Sequence, residues 1–206
     1  NDTDDILPAF TMTSAVEFAA SGDVALDVFG FVVGVGSFDL AKQRLEVDDG
    51  AITAFDADVL SLSLSGVDLF VGVGGSLNGA KDAIVTTDAI GFEATGVNLM
   101  LSLVQDTTTA TNKYTGLEIS SLNASLIGIT GLTFEVSGAK VQVNQGPVSG
   151  RLDWATAAVN DTDDILPAFT MTSAVEFAAS GDVALDVFAF VVGVGTFDLA
   201  KHRLAA

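Results

Sequence analysis

Hydrophobic and polar residues alternate along most of this chain. The alternation places Phe10, Met12, Val16 and Phe18 on one parity. It recurs in later segments, where the apolar residues are Leu60, Leu62, Leu64, Val97, Leu99, Leu101, Leu103, Val141 and Val143. A period of two is typical of a strand with one buried and one exposed face. No segment carries the period of an amphipathic helix, so the pattern predicts an all-β fold with little or no helix.

The apolar parity switches at several Ser-Gly and Thr-Gly dipeptides. It changes between Leu64 and Val67, and again at Thr95-Gly96. A one-residue slip would turn the apolar set outward, unless a bulge at glycine adds the extra residue and keeps that set pointing inward. We therefore predict strands bent at these dipeptides, in an elongated solenoid-like or stacked bent-strand body. The alternative is a β-sandwich in each repeat unit.

The stretch from Val28 to Phe38 is apolar on both parities. Such a pattern is typical of a strand covered on both sides, or of an edge packed on a neighbouring unit. Three glycines interrupt the stretch, and it is shorter than the roughly 18 residues that a membrane-spanning helix needs. No transmembrane helix is expected.

The chain contains the start of its own repeat. Residues 1–45 return as 160–204, with three differences: Gly30 becomes Ala189, Ser37 becomes Thr196 and Gln43 becomes His202. Near identity at an offset of 159 residues indicates tandem duplication. We interpret residues 1–159 as one complete unit and 160–206 as the start of the next, so neighbouring units of the same chain are the expected partners.

Composition narrows the function classes. The formal net charge of -19 would repel phosphate backbones, so nucleic acid is not an expected partner. The chain has no cysteine and one histidine, His202, which lies outside the first unit. The hydrophobic content of 49% and mean hydropathy of +0.52 suffice for a substantial core. Because the first unit has neither cysteine nor histidine, most familiar catalytic and transition-metal sites are excluded from it. We therefore predict a protein that is not an enzyme.

The unit lacks the common motifs for phosphate binding and for nucleophilic catalysis by serine. The glycine-rich segment 72–81 lacks the Gly-Lys-Ser/Thr of a phosphate loop, and Asn78-Gly79 indicates a plain hairpin loop instead. No Ser-x-x-Lys spacing offers a lysine base for a serine. A carboxylate-based glycoside hydrolase remains an alternative, because its two acids can be far apart in sequence. A lipid- or hydrophobic-ligand-binding β-groove is a second alternative, motivated by the high hydropathy.

An acidic cluster marks the junction between units. It consists of Asp2, Asp4 and Asp5, repeated as Asp161, Asp163 and Asp164. Calcium accepts six to eight oxygen ligands in flexible geometry, so these carboxylates, with Asp48 and Asp49, could form a cation site that stiffens an array. The competing interpretation is a solvated loop. No other cofactor is expected.

The segment GFEATGVNLMLSLVQDTTTATNKYTGLEISSLNASLIGITGLTFEVSGAKVQVNQ (91–145) resembles repeats of very long bacterial surface proteins. Those proteins are adhesin-like and are grouped with RTX-type secreted proteins, although the calcium-binding nonapeptides of that group do not occur here. The resemblance implies a secreted or cell-surface location. It also implies a structural role as a stalk or adhesive segment, with a cell-surface or matrix partner.

Overall fold

The computed structural model of the chain describes residues 16–202. It contains ten strands and one short helix, so the predicted all-β fold is confirmed. The elements are β1 Val16–Val28, β2 Val32–Val47, β3 Phe55–Val73, β4 Ser76–Leu77, β5 Ile84–Val85, β6 Ile90–Asp106, β7 Lys113–Ile127, β8 Leu132–Gln145, α1 Trp154–Asn160, β9 Val175–Val187 and β10 Val191–His202.

Eight of these strands form one antiparallel sheet. Its order is β1-β2-β3-β6-β7-β8-β9-β10, so its strands follow one another in chain order, with residues 74–89 inserted between β3 and β6. The remaining strands, β4 and β5, form a separate two-stranded ribbon. Within residues 16–202 no second large sheet packs on the first, so the alternative of a sandwich within each unit is not observed. The described residues thus form one large sheet of bent strands, which lie side by side in chain order.

A line of bulges crosses the four central strands at the same level. The register shifts next to Gly66 in β3, Gly138 in β8 and Ser121 in β7, all of which have φ between 57° and 59°. In β6, Gly96 has φ 64°. The predicted bends at Ser65-Gly66 and Thr95-Gly96 are therefore confirmed. Thr115-Gly116, in contrast, lies in regular strand, with Gly116 directly below the Trp154 ring.

Acidic and amide side chains on adjacent strands close these bulges. Asp68 accepts a hydrogen bond from the Gly96 amide at 2.9 Å, and Asn98 accepts one from the Gly66 amide at 3.1 Å. Asn123 does the same for the Gly138 amide at 3.0 Å. Each amide left without a ladder partner by a bulge is thus satisfied by a neighbouring strand.

The two faces of the sheet differ in what covers them. Residues 146–174, which include α1, and residues 74–89, which include the ribbon, both pack on one face. We call this the covered face, and the opposite side the open face. The inward direction predicted for the apolar set is wrong. Leu60, Leu62 and Leu64 lie on the open face, and the buried positions of β3 are Ala57, Val59 and Ser61. Alternation alone does not indicate which side receives a cover.

The larger core lies under residues 146–174, the crossover segment. Trp154, Phe169 and Met171 project from this segment onto short side chains of the sheet. The Trp154 and Phe169 rings are 5.1 Å apart, and the Trp154 indole donates to Asn144 Oδ1 at 2.9 Å. The remaining buried members of this core are Leu45, Val47, Ala57, Val59, Val104, Tyr114, Leu152, Ala157 and Leu166.

A smaller core lies under the ribbon and explains the stretch that is apolar on both parities. Phe70 is fully buried against Val33 and Ala89. Its ring occupies the space above Gly75, where any Cβ would come within 2.3 Å of it. Residues 29–31 of the stretch are the β1–β2 turn, with Phe29 at φ 52° and 93% exposed. A hairpin turn therefore interrupts the apolar stretch, and β2 begins after it at Val32.

Candidate functional site

The acidic cluster at the unit junction organises a loop by hydrogen bonding. Asp161 follows α1, and its Oδ2 accepts from the amides of Ile165 and Leu166, both at 2.7 Å. Its Oδ1 accepts from the Asp163 amide at 3.0 Å. The Asp163 carboxylate accepts instead from Gln43 Nε2 at 3.0 Å. Both oxygens of Asp161 are thus engaged by backbone amides of its own loop.

Of the junction carboxylates, the described ones, Asp161, Asp163 and Asp164, do not gather closely enough to hold one metal ion. Asp164 is exposed and has φ 61°. Among the described residues, no three His, Asp or Glu side chains gather closely enough to hold a metal ion. The other three predicted ligands, Asp2, Asp4 and Asp5, lie outside the described residues. The calcium site stays a prediction, and melting the protein with calcium and with a chelator tests it.

Acidic residues elsewhere have the same loop-capping role. Asp49 is buried and accepts from the Ala51 and Ile52 amides through one oxygen. Its other oxygen accepts from the Asp153 amide at 3.0 Å, which fixes the start of α1 to the β2–β3 connection. The hydrogen bond from the Thr109 amide, together with that from Thr108, lowers the pKa of Asp106.

Glu118 is the carboxylate most thoroughly enclosed by the fold. It is 2% exposed, on the covered face of β7. Burial alone would raise the pKa of Glu118, but the amide of Thr170 and the side chains of Gln142, Thr170 and Lys140 lower it overall. The Thr170 amide donates to Oε2 at 3.0 Å, and Lys140 Nζ lies 3.1 Å from Oε1. Glu118 therefore fastens the crossover segment to the sheet.

The glycine-rich segment 72–81 forms the ribbon hairpin. Ser76 and Leu77 pair with Val85 and Ile84. Asn78 closes the loop, because its side chain accepts from the Asp82 amide at 3.1 Å. The prediction of a hairpin loop is confirmed, and the segment serves as the cover over Phe70.

The open face carries continuous rows of apolar side chains. Directly paired residues of antiparallel strands share a face, so the registers define these rows. One row contains Ala20, Leu40, Leu62, Leu101, Leu117, Val143 and Phe177. Beyond the bulges another contains Leu26, Gly34, Leu69 and Ala94. Exposure along the face reaches 47% at Val71, 52% at Phe92 and 50% at Leu26.

Acidic strand residues gather on the covered face instead. The same registers place eleven carboxylates of the described strands there, at Asp23, Asp27, Asp39, Asp68, Glu93, Asp106, Glu118, Glu135, Asp182, Asp186 and Asp198. On the open face, charged side chains occur at the end of the sheet near Arg44 and Asp58, which form an ion pair at 2.9 Å. The sheet is therefore amphipathic, with an acidic side and an apolar side.

The two edges of the sheet are formed by repeated sequence. β1 is one edge strand and β10 is the other. At the offset of 159 residues, β9 corresponds to β1, and β10 corresponds to β2. β9 pairs with β8, and β2 pairs with β3. The sequence of each edge strand therefore occurs a second time in the chain, in a strand that is hydrogen-bonded to a neighbour on both sides.

Comparison with known proteins finds no matching family model, no matching curated protein and no matching solved structure. Within residues 16–202, no helix has the length and apolar character needed to cross a membrane. The open face and the two sheet edges are surfaces that sequence reasoning missed. The parity of the leucines was the available signal for the face, and the repeat was the signal for the edges.

Proposed function

We propose that this chain is a structural segment of a longer tandem array, in which successive units continue one antiparallel sheet. The observation that carries the proposal is the pairing of β8 with β9. Ten residue pairs, from Leu132 with Val187 to Val143 with Phe177, join the last strand of one unit to the first strand of the next. The array would act as a stalk or adhesive segment of a secreted or cell-surface protein, as the sequence resemblance implies.

The packing of the crossover segment supports this function. Residues 160–174 belong to the second copy in sequence, yet Leu166, Phe169 and Met171 complete the core of the first unit. Successive units therefore share a hydrophobic core as well as a sheet, so each stabilises its neighbour, as in other repeat proteins. A stalk gains stiffness from such shared interfaces.

Extending the chain tests the proposal. The described part of the first unit, residues 16–159, contributes six strands to the sheet, namely β1, β2, β3, β6, β7 and β8. At about 4.8 Å between strands, one added unit should widen the sheet by roughly 29 Å. Small-angle scattering of chains with one, two and three added units would measure this increment. A constant increment with one cooperative melting transition supports a continuous sheet, whereas units that tumble independently would contradict it.

The two alternatives differ in their support. The uncovered apolar face is the observation that favours a hydrophobic-ligand-binding surface, and the experiment in the next subsection includes that outcome. For a glycoside hydrolase, Glu118 is the most enclosed carboxylate, and its oxygens are used by Thr170, Gln142 and Lys140. These contacts give Glu118 a role in fastening the crossover segment. Assay of the purified chain on polysaccharides would test the enzymatic alternative.

A further inference from the structure

The open face is large enough to form a stable interface by itself. The eight strands have between 12 and 19 residues; counting only twelve residues for each, with about 4.8 Å between strands and about 3.4 Å of rise per residue, the sheet presents at least roughly 1,500 Å² on one side. A standard protein interface buries about 800 Å² on each partner. Exposed apolar patches on monomeric proteins are usually limited to about 300–600 Å². An uncovered face of this size indicates that another surface packs on it.

The distribution of charge limits what that surface can be. The carboxylates at Asp68, Glu93, Glu135 and Asp182 lie on the covered face, on the other side of the sheet from the apolar rows. If two such sheets met by their open faces, all of these carboxylates would point outward into water. The net charge of -19 would, in contrast, oppose approach to an anionic membrane surface.

The shape of the face also favours another sheet. Its side chains stand in straight cross-strand rows, such as Val71, Phe92 and Leu126. Two pleated sheets with the same twist pack about 10 Å apart with side chains interdigitated between them. A second copy of the chain offers the same rows and the same twist.

We propose that the open face is a docking surface for the open face of a second copy of this chain, so that two sheets form a sandwich with their acidic faces outward. This association is distinct from the sideways joining of units, because it uses the sheet face and leaves the β1 and β10 edges free. An array built in this way would consist of two chains.

Lysine substitutions on the two faces test this proposal in the full 206-residue chain. Val71→Lys and Phe92→Lys place a charge on the open face of the central strands β3 and β6, where the present side chains are 47% and 52% exposed. In an isolated sheet the lysines reach water, but in a sandwich they would be buried without a partner. The matched control is Val194→Lys, at a side chain that is 86% exposed on β10 and belongs to the covered-face parity.

The molar mass should be measured by sedimentation equilibrium at about 100 µM protein, well above the Kd of an interface of this size. We expect twice the chain mass of 21.0 kDa for the unmodified chain and for Val194→Lys, and 21.0 kDa for the two open-face variants. A monomeric unmodified chain overturns the proposal. So does a dimer that only Val194→Lys disrupts, since this would place the contact at the β10 edge.

A second readout does not depend on the lysine variants folding. The chain has no cysteine, so Val71→Cys and Val194→Cys each create a unique thiol. In the proposed sandwich, maleimide labelling should be at least tenfold slower for Val71→Cys than for Val194→Cys, and the difference should vanish on dilution. Equal rates at all concentrations overturn the proposal. If the chain is monomeric and binds palmitate or vesicles of neutral phospholipid, the open face takes a lipid and the proposal is wrong.

Discussion

The hairpins β1–β2 and β9–β10 have almost the same sequence, and the same side chains have opposite environments in them. Val33 is fully buried in β2, whereas its equivalent Val192 is 69% exposed in β10. Val35 is 7% exposed, and its equivalent Val194 is 86% exposed. The difference arises because β2 has β3 and the ribbon beside it, whereas β10 is an edge strand.

At the turns of the two hairpins the relation is reversed, and the side chain of the first copy is the more exposed one. In the turn of β1–β2, Phe29 is 93% exposed, whereas the equivalent Phe188 is 58% exposed. The Phe188 amide donates to the Gly131 carbonyl at 2.6 Å, and its ring lies beside Gly131, because β8 flanks β9. The burial of a hairpin is therefore decided by its neighbours in the sheet. We therefore expect the free energy of unfolding to depend most on the residues of the crossover segment and the ribbon that cover the sheet.

The largest loss of stability is expected from removing residues 160–174, which belong to the second copy but complete the core of the first unit. A chain ending at residue 159 loses Leu166, Phe169 and Met171, and each large buried side chain contributes about 2–5 kcal/mol. A chain ending at residue 174 loses only the β9–β10 hairpin. We expect the shorter chain to lack a cooperative unfolding transition in urea, and the longer chain to retain one. Equal transition midpoints for the two would show that residues 160–174 do not stabilise the first unit.

Removing the cover over Val33 should leave this side chain of β2 exposed, as its equivalent is in β10. Phe70→Ala removes the ring that covers Val33, and such a large-to-small change in a core costs about 3–5 kcal/mol. The matched control is Phe190→Ala, because Phe190 is 91% exposed and the change should alter the free energy of unfolding by less than about 0.5 kcal/mol. Denaturant unfolding measures both. Similar losses in the two variants would contradict the difference in cover.

Acidification should release the crossover segment from Glu118. Because the folded state lowers the pKa of this carboxyl below 4.5, its stabilising contribution is present above that pH. The contribution is lost as pH falls through the folded-state pKa. Glu118→Gln should cost about 1–3 kcal/mol at pH 7 by leaving Lys140 and the Thr170 groups poorly paired.

The free energies of unfolding of the unmodified chain and Glu118→Gln should therefore converge as the pH falls below 4.5 and through the lowered folded-state pKa of Glu118. Comparing two chains that share every other acid isolates the titration of this one group. A difference between them that stays constant with pH would mean that folding does not change the pKa of Glu118 and would contradict this prediction.

The smallest expected effect is a pair of identical substitutions at equivalent glycines. A Cβ at Gly36 would come within 2.9 Å of Val67 Cγ2, whereas one at Gly195 meets nothing within 4 Å. Gly36→Ala should cost about 1–3 kcal/mol through overpacking. Gly195→Ala should be neutral or stabilise by up to about 1 kcal/mol, because alanine restricts the unfolded chain. Thermal melting measures both, and equal shifts would indicate that β10 already has a neighbour.

The sequence predicts the strands and their bends because both depend on local chemistry. Alternation identifies strands, and positive φ selects glycine at positions such as Gly66 and Gly138. At Ser121 the same conformation occurs without glycine, so that bulge carried no Ser-Gly or Thr-Gly signal. The seven-residue helix α1 was also missed, since it is too short to show a helical period, although Asp153 caps it by accepting from the Thr156 amide.

The direction of the faces could not be predicted, because it depends on contacts between distant segments. The buried pair Ser61 and Ser102, with hydroxyls 2.7 Å apart, looks in sequence like the solvent side of its strands. It is buried because the crossover segment, with Trp154 and Met171, packs on this face; Trp154 lies 52 residues after Ser102 and 93 residues after Ser61. The sequence likewise does not indicate that Asp161 accepts hydrogen bonds from amides of its own loop. The spacing of the acidic residues in the cluster fits a set of metal ligands equally well.

The sequential order of the strands has a consequence for how the chain acquires its structure. Each strand of the large sheet pairs with the preceding strand of that sheet, so the sheet can lengthen as the polypeptide emerges from a ribosome or a secretion channel, with β8 acting as a template for β9. The ribbon and the crossover segment are the parts that must fold back over strands formed earlier. The near identity of the hairpins carries a hazard, because the β3 edge accepts β2 and its copy equally well. Long arrays of such units are therefore exposed to mispairing between copies, and vectorial emergence suppresses it by offering each new strand a single adjacent edge.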